Sequence, residues 1–410
     1  MLNQKTESFQ VFKKWLRLII KLSLSLIFFE FLCFLFLQIY FEDELNLDFN
    51  TGYSFNEWQK TRIKELTSDT MDFRNFDTKK GWVNRPNERI VHESANQKIV
   101  YSINSSGFRS TREYTPTKEN GITRLMVMGN SFVFGSEVDD ANCWPSILES
   151  SNKNLEVLNA GVAGYGLDQA FLLFEETKKE WKPDVVIICY MTMLLQRHVV
   201  TFQSFGSKRS VPCSKPRYLL DGDKLILETN PLSSKEHYKK LLDHPNKVIP
   251  EIGKHDFFFN RDFATPVRGN VSFIKLINLA VNRYFNSSKF EDFYKNGYYN
   301  ENSEAFMVTE KIIPKFVNAV KEIGAEPIVI IFPTRIDLTR LMEVKEYKVY
   351  EPLLNSLEKT GISYLDMASV FNNEKVENLF EKNGHYSPLG NLLVANKIQL
   401  TLEGKDSFSN

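Results

Sequence analysis

Between residues 124 and 402, short apolar runs alternate with longer stretches in which apolar residues recur at helical spacing. The short runs predict buried strands, and the longer stretches predict amphipathic helices. Strands that alternate with helices in this way predict an α/β fold with a mostly parallel sheet and helices on both faces. The predicted strands are Leu125–Met128, Leu155–Leu158, Val185–Tyr190, Ile328–Phe332 and Ile362–Leu365. The predicted helices are Trp144–Ser150, Leu167–Trp181, Ser303–Ile323, Val344–Thr360 and Ser387–Leu402.

A long segment of mixed aromatic, charged and proline-containing sequence, His198–Tyr298, interrupts this alternation. We interpret it as a large insertion that covers or frames a functional site, because long segments without a regular pattern inside a compact domain are usually functional. Within it, Val271–Tyr284 is predicted to be helical.

The N-terminal part of the chain contains an almost wholly apolar stretch, Leu22–Phe41, which is long enough to cross about 30 Å of hydrocarbon as a helix. Basic residues precede it and acidic residues follow it, so the N-terminus is predicted to be cytoplasmic and the main domain extracytoplasmic, periplasmic in a Gram-negative cell. No small-residue cleavage site follows the stretch, which favours a retained signal-anchor over a cleaved signal peptide. A buried core helix is the alternative, but few soluble helices stay apolar on every face over this length. Glu30, in mid-span, predicts either a membrane partner or a protonated carboxyl group.

These patterns predict four parts: an N-terminus with the signal-anchor helix (1–45), a connector with a small β extension (46–110), a main domain (111–402, with the insertion at 198–298) and a C-terminal tail (403–410). The β extension is predicted from two short segments, Arg89–His92 and Ile99–Ile103, and is expected to lie against the main sheet.

The composition excludes several classes of function. Charges balance, with 51 Lys and Arg against 51 Asp and Glu, so no nucleic-acid partner is predicted. The four cysteines are too few and too scattered for a disulfide framework or a zinc site, and only Cys143 and Cys213 could pair. The histidines of the insertion show no metal-ligand spacing, so we predict no metal and no cofactor.

Three polar blocks stand where predicted strands end. Ligands bind at the carboxyl ends of the strands in open α/β sheets, so a serine held there, Ser131, is a candidate nucleophile. The alternative for Ser131 is an ordinary strand-end turn. A glycine-rich turn before a helix offers free N–H groups that suit a developing oxyanion. The blocks are Gly129-Asn130-Ser131, Asn159-Ala160-Gly161-Val162-Ala163-Gly164-Tyr165-Gly166 and Asn383-Gly384-His385-Tyr386-Ser387-Pro388.

In this order, the three blocks resemble those of the SGNH (GDSL-type) hydrolase superfamily, and Ser106-Gly-Phe-Arg and Trp144-Pro145 resemble a membrane-anchored bacterial branch of it. The resemblance covers roughly residues 100–200 and 300–402. It implies a three-layer, flavodoxin-like sandwich with a five-stranded sheet. It also implies that Ser131 is the nucleophile, that His385 is the base, and that the backbone N–H groups of Ser131 and Gly164 bind the oxyanion.

The chain departs from the superfamily pattern at three positions. Asn130 stands where the motif usually has aspartate. The asparagine expected after the strand Val185–Tyr190 is missing, and only Thr192 or Gln196 is available as a substitute. The acid expected just before the histidine is replaced by Asn383, so the ring must be oriented by Asn383, by Glu381 or by a backbone carbonyl.

Three functions are therefore compared. The first is a membrane-anchored, extracytoplasmic ester hydrolase or O-acyltransferase that acts on acyl esters of envelope glycans. The second is a catalytically silent SGNH-like accessory protein of envelope assembly, which the departures favour. The third is a lipase-like enzyme whose phenylalanine-rich segment, Phe257-Phe258-Phe259 with Phe263, forms a lid. A carboxylate or carbonyl that orients His385 towards Ser131 discriminates the first function from the second.

Overall fold

The computed structural model of the chain describes residues 2–45, 47–48, 52–53, 55–94, 97–206, 210–262, 272–274, 276–277, 292–344 and 347–405. Within these residues the strands longer than two residues are β1 (Arg74–Asp77), β2 (Gly81–Asn84), β3 (Glu88–Ser94), β4 (Gln97–Ile103), β5 (Thr123–Gly129), β6 (Leu155–Gly161), β7 (Val185–Met191), β8 (Arg217–Asp221), β9 (Lys224–Glu228), β10 (Glu326–Phe332) and β11 (Tyr364–Asp366). The α-helices are α1 (Leu2–Leu45), α2 (Glu57–Thr67), α3 (Ser131–Phe134), α4 (Trp144–Ser151), α5 (Leu167–Trp181), α6 (Gln203–Gly206), α7 (Lys235–Asp243), α8 (Pro245–Gly253), α9 (Phe257–Asp262), α10 (Glu304–Lys321), α11 (Arg335–Glu343), α12 (Glu351–Lys359), α13 (Val376–Leu379) and α14 (Pro388–Leu402).

The centre of the molecule is a five-stranded sheet in the order β11-β10-β7-β5-β6, in which every pairing is parallel. Counted along the chain, this is the order 2-1-3-4-5 of flavodoxin-like folds. All residues of β6 and β7 are buried, as expected for strands that are covered on both faces. The predicted fold class is therefore confirmed. Ligand sites in this fold lie outside the carboxyl ends of the strands where the order reverses, which here is between β5 and β7.

Two pairs of helices flank the sheet. Helix α5 packs against α10, with the rings of Phe171 and Phe316 5.2 Å apart. Helix α4 packs against α14, and the side chain of Asn391 in α14 accepts a hydrogen bond from the N–H of Trp144 at 3.1 Å. The second contact fixes the C-terminal helix beside the strand end that carries Ser131.

The helix predicted at Val344–Thr360 is shorter than predicted, and it forms as α12, Glu351–Lys359. Pro352 lies in the first turn of α12, where the missing N–H of proline costs no hydrogen bond. Helix α11, which precedes the predicted range, was not predicted, and it starts at a capping box made by Thr334 and Asp337. At Val344 the backbone is already extended, which separates the two helices.

The predicted β extension is present, and its strands form their own hairpins rather than edge strands of the main sheet. β1 pairs with β2, and β3 pairs with β4, both antiparallel. The two predicted segments, Arg89–His92 and Ile99–Ile103, lie within β3 and β4. The hairpin β3–β4 contacts the turn that follows α3, where Ile99, Tyr101 and Phe134 form a small apolar cluster. The extension therefore lies next to the candidate nucleophile.

The insertion contains α6 to α9 and the hairpin β8–β9. Of the helix predicted at Val271–Tyr284, residues 272–274 and 276–277 are described and are helical, and the remainder lies outside the described residues. Phe258 and Phe259 are buried in the main core, with Phe258 packed beside Phe293 and Phe259 beside Phe205. Since Phe258 and Phe259 pack in the core, the lid prediction is wrong for this run; Phe263 lies outside the described residues.

All four cysteines are free and buried, so the possible pairing of Cys143 with Cys213 is not formed.

Helix α1 contains a segment, Lys13–Leu37, that is long and apolar enough to cross a membrane, and the rest of the protein leaves most of it uncovered. By length and composition this segment suits a signal-anchor or a signal sequence equally. The apolar segment of α1 is thus mostly uncovered, so the alternative of a buried core helix is wrong for it.

Candidate active site

Ser131 is the first residue of α3, directly beyond the carboxyl end of β5. The side chain of Asn130 caps this short helix, because its Oδ1 accepts a hydrogen bond from the N–H of Phe132 at 2.9 Å. Ser131 is 8% exposed, so only a small part of it meets solvent. The asparagine that departs from the superfamily motif therefore has a structural role, because it ends the strand and starts the helix that presents Ser131.

His385 lies in the loop before α14. Phe380 and Tyr386 form an isolated β-bridge that closes this loop, and the hydroxyl of Tyr386 donates to the carbonyl of Pro333 at 2.9 Å. Pro333 follows β10, so the loop is tied to the carboxyl edge of the sheet. His385 Nε2 consequently lies 2.9 Å from the Oγ of Ser131, as the sequence blocks predicted.

The other ring nitrogen of His385 faces a carboxylate that the sequence analysis did not identify. His385 Nδ1 lies 2.7 Å from Oε2 of Glu137, which belongs to the same turn as Ser131. An ionised carboxylate only accepts hydrogen bonds, so Nδ1 carries the proton and Nε2 accepts from the Ser131 hydroxyl. The backbone N–H of His385 also donates to Glu137, at 3.2 Å.

Neither residue predicted to orient the ring makes that contact in the described hydrogen bonds. Asn383 instead donates its side-chain amide to Oε1 of Glu137 at 2.7 Å, so it holds the acid rather than the ring. Glu381 contributes its backbone N–H, which donates to the carbonyl of His385 at 2.7 Å. Burial and the nearby charge of Glu137 raise the pKa of the Glu381 carboxyl group. The predicted orienting contact is therefore corrected: Glu137, from a distant part of the sequence, contacts Nδ1 of His385 in place of Asn383 or Glu381.

Glu137 is suited to remain ionised at neutral pH. Burial raises the pKa of its carboxyl group, but the hydrogen bonds and charge of His385 and the N–H of Asn383 outweigh burial, so the pKa lies below its usual value. The side chain of Glu137 is 16% exposed and that of His385 is 24% exposed. The pair is thus partly shielded from water, and an approaching ester can still reach it.

The turn that carries Glu137 is held by the β extension. The guanidinium of Arg109, fully buried, donates to the carbonyls of Phe134, Gly135 and Val138, the last at 2.7 Å. The N–H of Glu137 donates to the hydroxyl of Tyr101 in β4 at 2.9 Å. Arg109 belongs to the Ser106-Gly-Phe-Arg motif, which therefore acts by fixing the turn between Ser131 and Glu137.

Glu137 has a φ of +72°, a left-handed conformation that costs a non-glycine residue about 1–2 kcal/mol. Glu137→Gly and Glu137→Ala both remove the carboxylate, and only glycine relieves this strain. Glycine also has more conformational freedom in the unfolded chain, which lowers the free energy of unfolding by about 0.4–1 kcal/mol. Relief of strain outweighs this loss, so we expect the free energy of unfolding of Glu137→Gly to exceed that of Glu137→Ala by roughly 0.5–1 kcal/mol. Urea unfolding of the two variants measures this difference.

The matched control is Ser136, the preceding residue, whose φ is not positive. There the order should reverse, with Ser136→Ala more stable than Ser136→Gly. Equal stability of the two Glu137 variants would show that the backbone at this position stores no strain.

The glycine-rich turn is held through its carbonyl groups. Gly164 has a φ of +90°, and a Cβ atom there would lie 3.2 Å from the ring of Trp82. The indole N–H of Trp82 donates at 2.9 Å to the carbonyl of Ala163, which belongs to the same peptide unit as the Gly164 N–H. Three further side chains donate to carbonyls of this turn: Asn84 to Gly161, Gln203 to Gly164 and Arg197 to Tyr165.

This arrangement leaves N–H groups available. The described hydrogen bonds include none from the backbone N–H of Ser131 or Gly164. Because Trp82 fixes the peptide unit that contains the Gly164 N–H, the direction of that donor is also fixed. Whether both donors reach one oxyanion stays a prediction.

The position of the missing asparagine is occupied by Thr192, directly after β7. Its hydroxyl donates to the carboxylate of Asp337, and its carbonyl accepts from Tyr299. This hydroxyl is therefore already committed to Asp337, which also caps α11. The side chain of Gln196, the other suggested substitute, appears in none of the described hydrogen bonds.

No protein-family model matches the chain, and no curated protein matches it. Solved structures do match. One is a lipolytic protein of the G-D-S-L family from Desulfitobacterium hafniense (16% identity, 68% of this chain and 98% of that chain, TM-score 0.33). Another is an SGNH hydrolase from Slackia heliotrinireducens (14% identity, 68% and 99%, TM-score 0.33). A third is a two-domain esterase active on acetylated mannans (10% identity, 70% and 51%, TM-score 0.33). The first two are named for the superfamily, SGNH (GDSL-type) hydrolases, that the three sequence blocks of this chain resemble.

Proposed function

We propose that the chain is a membrane-anchored SGNH-type ester hydrolase or O-acyltransferase, with Ser131 as nucleophile, His385 as base and Glu137 as the acid that orients His385. One observation carries the proposal. Ser131, His385 and Glu137 form a continuous line of hydrogen bonds, 2.9 Å and 2.7 Å long, at the carboxyl edge of the sheet. This is the arrangement by which a serine hydroxyl becomes nucleophilic.

The reaction follows from this geometry. His385 Nε2 takes the hydroxyl proton as Ser131 Oγ attacks the ester carbonyl carbon, and Glu137 stabilises the resulting imidazolium. Collapse of the tetrahedral intermediate breaks the ester C–O bond, and His385 returns the proton to the leaving alcohol. Water or a sugar hydroxyl then gives its proton to His385 and attacks the acyl-enzyme, which releases the acid or the new ester and restores Ser131.

The oxyanion is assigned to the backbone N–H groups of Ser131 and Gly164. Their lack of other partners in the described hydrogen bonds supports this assignment. Loss of one such donor costs about 10²–10³ in rate in related chemistry. The asparagine that would supply a third donor in the superfamily is missing from this sequence, and the Thr192 hydroxyl is bonded to Asp337. We therefore expect a slow enzyme by the standards of the superfamily.

The substrate class follows from the proposed location. An extracytoplasmic domain behind a signal-anchor meets the polymers of the cell envelope, so acyl esters of envelope glycans are the proposed substrates. Two features support the location: the uncovered apolar helix α1, and the basic residues before it with acidic residues after it.

The second candidate is a catalytically silent accessory protein of envelope assembly. The missing third oxyanion donor favours it. The contact between Glu137 and His385 favours catalysis, because a protein that has lost its reaction has no need to keep a strained, partly buried carboxylate against the histidine. We therefore favour the enzyme.

The test uses the full-length chain in detergent, incubated with p-nitrophenyl acetate and butyrate and then with a fluorophosphonate probe. We expect turnover and one covalent adduct by intact mass, on the tryptic peptide Leu125–Lys153. Fragment ions should place the adduct on Ser131 and not on Ser136. An adduct on another serine would contradict the assigned nucleophile, and silence of a cooperatively folded protein would favour the accessory protein.

A further inference from the structure

Glu30 of α1 has a specific contact with the insertion. Its carboxylate accepts hydrogen bonds from the backbone N–H groups of Ser272 and Phe273, the second at 3.1 Å. Glu30 precedes Leu37, the end of the apolar segment of α1, by seven residues, so it lies about 10 Å inside that end. The insertion therefore meets α1 at a depth that the proposed membrane span assigns to hydrocarbon.

The contact extends along one face of α1. Glu30, Cys33 and Leu37 are spaced so that they share a face of the helix. Cys33 is 5% exposed and Leu37 is 1% exposed, whereas Phe28 on the opposite face is 61% exposed. The ring of Phe273 also lies 5.2 Å from that of Phe29. One face of α1 is thus covered by protein within the apolar segment, while the others are open.

The segment of the insertion at this contact is itself apolar. Residues 272–274 and 276–277 are helical, and Phe273, Ile274 and Ile277 are each at least 40% exposed. Between Val271 and Val281 the sequence has Ser272, Lys275 and Asn278 as its polar residues. An apolar stretch of this length is typical of an interfacial or re-entrant segment when it is not in a core.

In lipid, the Glu30 carboxylate and the N–H groups of Ser272 and Phe273 satisfy each other's need for a hydrogen-bonding partner. A backbone N–H group in hydrocarbon needs an acceptor from the protein, because lipid offers none. A carboxylate in mid-span is costly unless it is paired. When Glu30 accepts from Ser272 and Phe273, donors and acceptor are both satisfied. In water neither group would need the other.

We propose that residues 272–274 and 276–277 enter the bilayer beside α1, with the N–H groups of Ser272 and Phe273 bound by Glu30 and with Phe273, Ile274 and Ile277 against lipid acyl chains. The inference rests on the proposed membrane span of α1 and is independent of Ser131 chemistry. It gives the protein a second membrane contact, so the insertion joins the bilayer to the main domain.

The test uses the full-length chain in phosphatidylcholine–phosphatidylglycerol vesicles, labelled with an NBD maleimide at single introduced cysteines. The four native cysteines are buried, so labelling is expected at the introduced ones. The sites are I274C, I27C in α1 and I226C in the hairpin β8–β9. Ile274 is 44% exposed and Ile226 is 47% exposed, so they are matched surface isoleucines. The unaltered chain gives the background labelling.

We expect doxyl-labelled lipids to remove most of the fluorescence at I274C and at I27C and to leave that of I226C unchanged. If the fluorescence at I274C stays unquenched like that of I226C while that of I27C is quenched, the inference is overturned. An unquenched I27C would overturn it too, by removing the membrane span. Neither readout involves ester turnover, so failure here and failure of the proposed function remain distinguishable.

A second variant tests the role of Glu30. Glu30→Leu removes both acceptors while keeping an apolar side chain, so quenching at I274C is expected to fall towards the level of I226C. Quenching that persists in this variant, with a cooperative thermal unfolding transition retained, would contradict the assigned role of Glu30.

Discussion

Ser131→Ala is expected to lower kcat for ester hydrolysis by about 10⁶. The variant removes the proposed attacking atom, the Oγ that lies 2.9 Å from His385 Nε2. It leaves Asn130, which caps α3, and the backbone N–H of residue 131 in place, so binding of the substrate should change little. Steady-state kinetics with p-nitrophenyl acetate measures the loss, and the initial burst of p-nitrophenol should disappear with it.

Ser136→Ala is the matched control for this prediction, because Ser136 belongs to the same turn and donates its N–H to the carbonyl of Ser131. Its hydroxyl appears in none of the described hydrogen bonds, so kcat should stay within about threefold of the unaltered enzyme. Activity that survives in Ser131→Ala would mean that another residue or a contaminant cleaves the ester, and the proposed mechanism would be abandoned.

Glu137→Gln is expected to lower kcat by about 10⁴, with KM little changed. The amide has the shape of the carboxylate, but it cannot stabilise the imidazolium that forms at His385, and it can present its NH₂ group to Nδ1 and so favour the wrong tautomer. The equivalent Asp→Asn change in serine proteases has an effect of about this size. Steady-state kinetics at neutral pH measures it.

Glu381→Gln provides the control, because Glu381 is a neighbouring carboxylate that makes no described hydrogen bond to the imidazole. Its kcat should stay within about threefold of the unaltered enzyme. A loss of about 10⁴ in Glu381→Gln with little loss in Glu137→Gln would reverse the two roles.

The Glu137 carboxylate should also contribute to stability in a pH-dependent manner. Its pKa in the folded protein is lowered, so its contribution is fully present above the usual glutamate pKa of about 4.3 and is lost as the pH falls through the lowered value. The stability difference between the unaltered protein and Glu137→Gln should therefore shrink as the pH falls through the acid range.

Apolar runs predicted the strands of the sheet well, because a parallel strand buried on both faces must be apolar at nearly every position. The structure extends Leu125–Met128 to Thr123–Gly129 and Val185–Tyr190 to Val185–Met191. The helix predicted at Val344–Thr360 begins later, at Glu351, where Pro352 suits the first turn. Helix α11 was not predicted, and Thr334 with Asp337 could have been recognised as its start.

The contact between Ser131 and His385 follows from the short blocks that suggested their roles, whereas the contact of Glu137 with His385 was not predicted. Glu137 and His385 are 248 residues apart in the sequence, so no local spacing connects them. The position of Glu137 depends on its left-handed backbone and on Arg109 and Tyr101, which belong to the β extension. One signal was available: Glu137 is the first acidic residue after Ser131 in the same turn.

The distribution of the three residues along the chain has a consequence for folding kinetics. Ser131 and Glu137 come together within one turn, but His385 is 254 residues from Ser131 and reaches it only after β11 has joined the sheet and α14 has docked on α4. Contacts between residues so far apart in sequence are the slow ones to form. A chain that is still being synthesised, or folded only as far as β7, holds Ser131 without His385. Under the proposed mechanism, ester cleavage therefore begins only when folding is complete, so a nascent chain carries no working hydrolase.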